Sequence, residues 1–142
     1  RSLIHEVSSS LYWEVGFDRK EFRFNNYQSR YHNRHLDLMD ILSGYNPGAY
    51  ARLDQIESMC GFPGKMGLSG GDVSEKYSKG QISDIRDYCE TDVLNTWLVY
   101  LKFELMRGNL HRLEYEKEIN ITLEFLKTVN ASHFDEFQKA LE

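Results

Sequence analysis

Arg86-Asp87-Tyr88-Cys89-Glu90-Thr91-Asp92-Val93-Leu94-Asn95-Thr96 is the stretch on which the reading of this chain of 142 residues turns. It heads a segment that is apolar nearly all round from Val93 to Met106, a pattern that predicts a buried helix. Ser83 is expected to cap that helix, and Arg107-Gly108 to end it. Tyr88 and Asp92 then stand at i and i+4 and share one helical face. An ionised carboxylate at the mouth of a buried helix is costly unless something pairs with it. A hard divalent cation such as magnesium is one such partner. The alternative is a helix-terminal pair in which Asp92 bonds to a neighbouring loop.

Outward from this helix, the pattern predicts a mostly helical chain with one or two short strands. Tyr50 to Cys60 reads as a helix with Leu53, Ile56, Met59 and Cys60 on one side and Gly61 as its stop. Five glycines and a proline between Gly61 and Gly71 require a loop. Asp72 to Ser78 is a short helix closed by Gly80. Leu110 to Lys127 is an amphipathic helix through Leu113, Ile119, Leu123 and Leu126, and Ser132 with Asp135 starts a last one along Phe134, Phe137 and Leu141. Upstream, Arg34 to Leu42 reads as a short strand passing into a helix near Asp37, with Asp37 as the cap. Leu11 to Tyr31 reads as an aromatic-rich loop or irregular hairpin, and Arg1 to Val7 as the tail of a helix.

The length suits one domain over residues 1–142 with a single core. Hydrophobic residues make up 41% and charged residues 27%, the balance of a soluble globular protein. No run approaches the roughly 18 apolar residues that span a bilayer, so no membrane partner is expected. Cys60 and Cys89 are too far apart for a Cys-x-x-Cys metal pair and read as reduced core thiols of a cytoplasmic protein. The net charge of −5, from 17 basic and 22 acidic residues, argues against a passive nucleic-acid coat, which is usually basic. A metal-dependent nuclease escapes that objection in part, because its cations meet the phosphates.

Tyr88-x-x-x-Asp92 resembles the third motif of the DEDD-type 3′-5′ exonucleases in its tyrosine-bearing version. Arg34-His35-Leu36-Asp37-Leu38-Met39-Asp40, Cys60-Gly61-Phe62-Pro63-Gly64-Lys65-Met66 and Leu101-Lys102-Phe103-Glu104-Leu105-Met106-Arg107-Gly108 extend the likeness from about Leu3 to Phe137. With them the chain is similar to a bacterial family, the predicted 3′-5′ exonucleases related to the proofreading domain of family B DNA polymerases. The resemblance implies a ribonuclease H-like α/β fold in the parent and a cage of four carboxylates around two divalent ions, Mg2+ or Mn2+. It also implies hydrolysis at the 3′ end of nucleic acid, single-stranded DNA being the expected substrate. Asp92 would hold metal, and Tyr88 would orient the attacking water. No Asp-x-Glu or suitably placed Phe-Asp precedes the third motif, and the chain begins at Arg1. It therefore reads as the C-terminal part of a longer nuclease, inactive alone. A non-catalytic nucleic-acid-binding or assembly module derived from an exonuclease is the competing expectation.

Three further features bear on the site. The glycines of Gly61-Phe62-Pro63-Gly64-Lys65 would let backbone approach a strand, with Lys65 meeting a phosphate. The same loop serves equally as a tight connection, and it is no Walker A loop. Asp84 and Asn95 could border the same face; Asn95, one turn after Asp92, would support it by hydrogen bonding or contact nucleic acid, but the favoured reading is a packing polar residue for Asn95 and a solubilising one for Asp84. His32, His35 and Asp37 are not expected to bind metal, and the aromatic residues upstream are expected to cover a core rather than stack on bases.

Overall fold

The computed structural model describes residues 36–64, 69–129 and 131–141. The chain divides into two compact units, Arg1–Tyr50 and Ala51–Glu142. All regular structure among the described residues is helical, and none of these helices is long and apolar enough to cross a membrane. The expected helix tail at Arg1 to Val7 and the loop at Leu11 to Tyr31 lie outside the described residues.

In the first unit, α1 spans Leu38–Leu42. Asp37 caps it as expected, its Oδ1 accepting from the backbone N–H of Met39 at 2.9 Å and of Asp40 at 3.2 Å. The strand expected just before it is not formed among the described residues. Asp37 is extended (φ −88°, ψ 109°), but that conformation serves the cap and has no ladder partner there. Gly44 and Tyr45 both turn left-handed after α1. A 3-10 turn at Pro47–Ala49 follows, with Asn46 Oδ1 accepting from Gly48 N–H at 3.0 Å.

The second unit is a helical cluster around one long rod. It comprises α2 (Leu53–Cys60), a 3-10 turn (Gly70–Asp72), α3 (Val73–Ser78), α4 (Ile82–Met106), α5 (Arg112–Thr128) and α6 (Ser132–Leu141). The rod is α4, 25 residues long, and α2, α3, α5 and α6 all pack against it. Leu98 of α4, Leu126 of α5, and Phe134 and Phe137 of α6 form the core, with Phe62, Leu94, Ile119, Ala131 and Leu141 around it. Burying each such side chain contributes about 1.5–3 kcal/mol. Trp97 Nε1–H donates to Thr122 Oγ1 at 3.1 Å and ties α4 to α5.

Helix ends follow local chemistry. Gly61 stops α2 in the left-handed region (φ 75°), which a side chain would disfavour. Ser83 does not cap α4: the left-handed turn at Gly80 starts the helix at Ile82 and puts Gln81 at the N-cap position, where its side chain makes no capping hydrogen bond. Ser83 Oγ–H points to Asp84 Oδ1 at 3.4 Å.

Several apolar positions differ from expectation. Among the described residues α4 is covered on one side only: Leu98, Val99 and Leu101 are buried, while Val93 is 68% and Met106 75% exposed. Met59 (85%) and Leu113 (80%) point to solvent and take no part in the apolar faces assigned to them. Both cysteines are free, as expected, but Cys89 is exposed and is not a core thiol.

Candidate active site

The second to fourth turns of α4 carry Tyr88, Thr91, Asp92 and Asn95 on one face. Opposite them lie the C-terminal end of α2, the turn after Gly61, and the 3-10 turn at Gly70–Asp72. A Cβ added to Gly70 would sit 4.0 Å from the Tyr88 hydroxyl. Thr91 Oγ1–H donates to the Tyr88 carbonyl at 2.9 Å and Thr96 Oγ1–H to the Asp92 carbonyl at 2.8 Å, so hydroxyls brace the backbone on both sides of the pair.

Tyr88 and Asp92 are brought together as their spacing predicts. The phenol donates to the Asp92 carboxylate, and both side chains are half-buried. The phenol is pushed up from its usual 10.0 to about 12. Burial is the largest cause, followed by the hydrogen bond to Asp92 and then by electrostatic effects of Asp92, Cys89 and Glu57 on the ionised phenol. At neutral pH Tyr88 therefore stays protonated and acts as a hydrogen-bond donor, not as a base. Among the described residues no cation pairs with Asp92. Its charge meets one neutral donor, and that leaves lone pairs for a cation.

Asn95 is fully buried, and its amide donates to the Gly64 carbonyl at 2.9 Å. Its Oδ1 is also buried and has no hydrogen-bond partner among the described residues. Gly64 is left-handed (φ 69°). The loop thus reaches α4 through its main chain, and two of the residues expected at the site, Gly64 and Asn95, are in direct contact. Lys65, the expected phosphate contact, lies outside the described residues.

Glu57 was not anticipated. It is fully buried on α2, a Cβ on Gly64 would lie 3.6 Å from its Oε2, and its charge is felt by Tyr88. The sequence carries a signal for it: Glu57 follows Leu53 by four positions and precedes Cys60 by three, on the inward side of α2. Asp84 does more than solubilise α4. Lys76 of α3 pairs with it, and that ammonium, by hydrogen bond and charge, holds its carboxyl below the usual carboxylate value of 3.8.

The donors on this face (the Asp92 carboxylate and the unpartnered amide oxygen of Asn95) are all oxygens, the set that suits a hard ion such as magnesium. They fit such an ion in kind but are too few to enclose it. Among the described residues, the one three-residue group with metal-ligand geometry is Asp87, Glu90 and His133, which does not include Asp92.

No curated protein and no solved structure matches the chain. One family model matches residues 1–141, and it describes a predicted 3′-5′ exonuclease related to the exonuclease domain of PolB. With the match running over all but the last residue, and with Tyr88 bonded to Asp92 on the long helix, the chain belongs to this family of predicted 3′-5′ exonucleases.

Proposed function

We propose that this chain supplies the third carboxylate motif of a metal-dependent nuclease that removes nucleotides from the 3′ end of single-stranded DNA. The observation that carries this reading is the Tyr88–Asp92 pair: a half-buried carboxylate, bonded by a phenol that stays neutral at physiological pH. Asp92 would hold the ion together with the remaining carboxylates of a four-carboxylate cage. Bound there, Mg2+ or Mn2+ would neutralise charge developing on the phosphate oxygens and favour ionisation of water.

The chain's own residues then have distinct tasks. Asp92 fixes the cation against α4. Tyr88, its O–H given to Asp92, would accept a hydrogen bond from the incoming water and orient it, and its raised pKa excludes it from proton abstraction. Asn95 holds the Gly64 carbonyl, and Lys65, next in sequence, would meet a phosphate. The test is degradation of 3′-terminated single-stranded DNA by the full-length gene product with Mg2+ or Mn2+. Activity that disappears in Asp92→Ala supports the proposal, and normal turnover in that variant overturns it.

One observation favours a second reading, a non-catalytic module that binds nucleic acid or a partner protein. Among the described residues, Asp92 belongs to no three-residue ligand group. Saturable DNA binding by the full-length product, without cleavage under either metal, would support that reading over the first.

A further inference from the structure

The residues on the neighbouring face of α4 make a different constellation. Asp87 and Glu90 lie three positions apart, and His133, in the first turn of α6, sits between them. Its Nε2 is 2.8 Å from Glu90 Oε2 and its Nδ1 is 3.8 Å from Asp87 Oδ2. The imidazole is only 14% exposed and rests against the Phe134 ring, with centroids 4.1 Å apart. We infer that Asp87, Glu90 and His133 form a second cation site, one suited to a borderline transition-metal ion such as Zn2+.

Geometry and chemistry carry this together. One ligand atom from each of the three residues lies within 4.8 Å of the others. Zinc bonds nitrogen and oxygen at about 2.0–2.2 Å, so it gathers its donors to within about 4.4 Å of one another. Half-buried carboxylates close the difference by small rotations. One imidazole nitrogen with two carboxylate oxygens is a zinc-type set, whereas magnesium prefers oxygen alone and keeps several waters.

Arg86 adds an independent constraint. Its guanidinium takes Asp87 Oδ1 at 3.0 Å and lies 3.4 Å from Glu90 Oε1. The oxygens left over, Asp87 Oδ2 and Glu90 Oε2, are the two nearest the imidazole. Arg86 thus orients both carboxylates from behind, as outer-shell partners do at metal sites. An imidazole that binds a metal does so in its neutral form, so with an ion in place two carboxylates and one guanidinium leave one net negative charge for a divalent ion to meet. Bound there, it would staple the start of α6 to α4.

The test is calorimetric titration of the metal-stripped full-length chain with ZnCl2, alongside its thermal unfolding midpoint. Saturable binding is expected, with a higher midpoint in zinc. His133→Gln and Glu90→Gln should each weaken the affinity at least tenfold, while Cys89→Ser leaves it unchanged. The inference is overturned if zinc does not bind saturably, if both His133→Gln and Glu90→Gln bind it normally, or if Cys89→Ser abolishes binding. None of these outcomes depends on nuclease activity.

Discussion

Two faces of the same helix, less than two turns apart, treat acidic side chains in opposite ways. Asp87 and Glu90 are met by an arginine on one side and a histidine on the other. Asp92 is met by a phenol, and among the described residues by no cation. The first pair is partly compensated by the guanidinium, and its contacts with the imidazole help hold α6 in place. The second face keeps an uncompensated charge beside a phenol whose ionisation is suppressed, an arrangement with no evident benefit to stability. Perturbed groups of that kind concentrate where chemistry is done. The contrast separates the acidic residues of α4 better than their positions in the sequence do.

The comparison can be broken most directly by exchanging carboxylates for amides. Asp92→Asn should lower the exonuclease rate of the full-length product by about a thousandfold, since a metal's charge stabilisation is worth several kcal/mol. Glu90→Gln should change that rate less than threefold. Similar losses in both would mean that the two faces are not distinct. Tyr88→Phe comes next, with a fall of about ten- to a hundredfold in kcat from a misplaced water and little change in the Mg2+ dependence. A rightward shift of the metal dependence in that variant would place Tyr88 on the ion itself.

Asn95→Ala should lower the unfolding free energy by about 1–3 kcal/mol, read from the urea midpoint, because the Gly64 carbonyl loses its donor. Smaller effects appear in the pH dependence. The fold favours the protonated form of Tyr88, so this contribution is complete below pH 10 and lost as pH rises towards 12. An ultraviolet difference titration against Tyr88→Phe should show one tyrosine ionising late. Asp84 has the opposite sign: its lowered pKa favours the fold above about pH 4, a contribution lost as the carboxyl protonates below 3.8. Asp84→Asn should remove that acid-side slope and little else.

Much of the second unit was legible in the sequence because its punctuation is local. Gly61, Gly80 and Gly108 all take left-handed backbone, and the helices stop or start beside them. The same locality explains the joining of Tyr88 to Asp92, since i and i+4 on a helix meet whatever surrounds them. What failed depends on tertiary neighbours. The apolar run of α4 gives no indication of which side will be covered, and Val93 and Met106 stayed exposed. The alternation at Leu36 and Leu38 fits a strand, but a strand needs a ladder partner, and Asp37 found an N-cap role instead. Glu57 and His133 were missed as neighbours of the site because a charged residue is buried only when a distant segment comes to meet it. The pairing of Gly64 with Asn95, 31 positions apart, is a fact of folding that neither residue announces.

Asn95 grips Gly64 by its carbonyl oxygen, an atom that every amino acid carries. The mooring uses no side chain at position 64, but it needs a left-handed backbone there (φ 69°), which glycine adopts without strain and a side chain would resist.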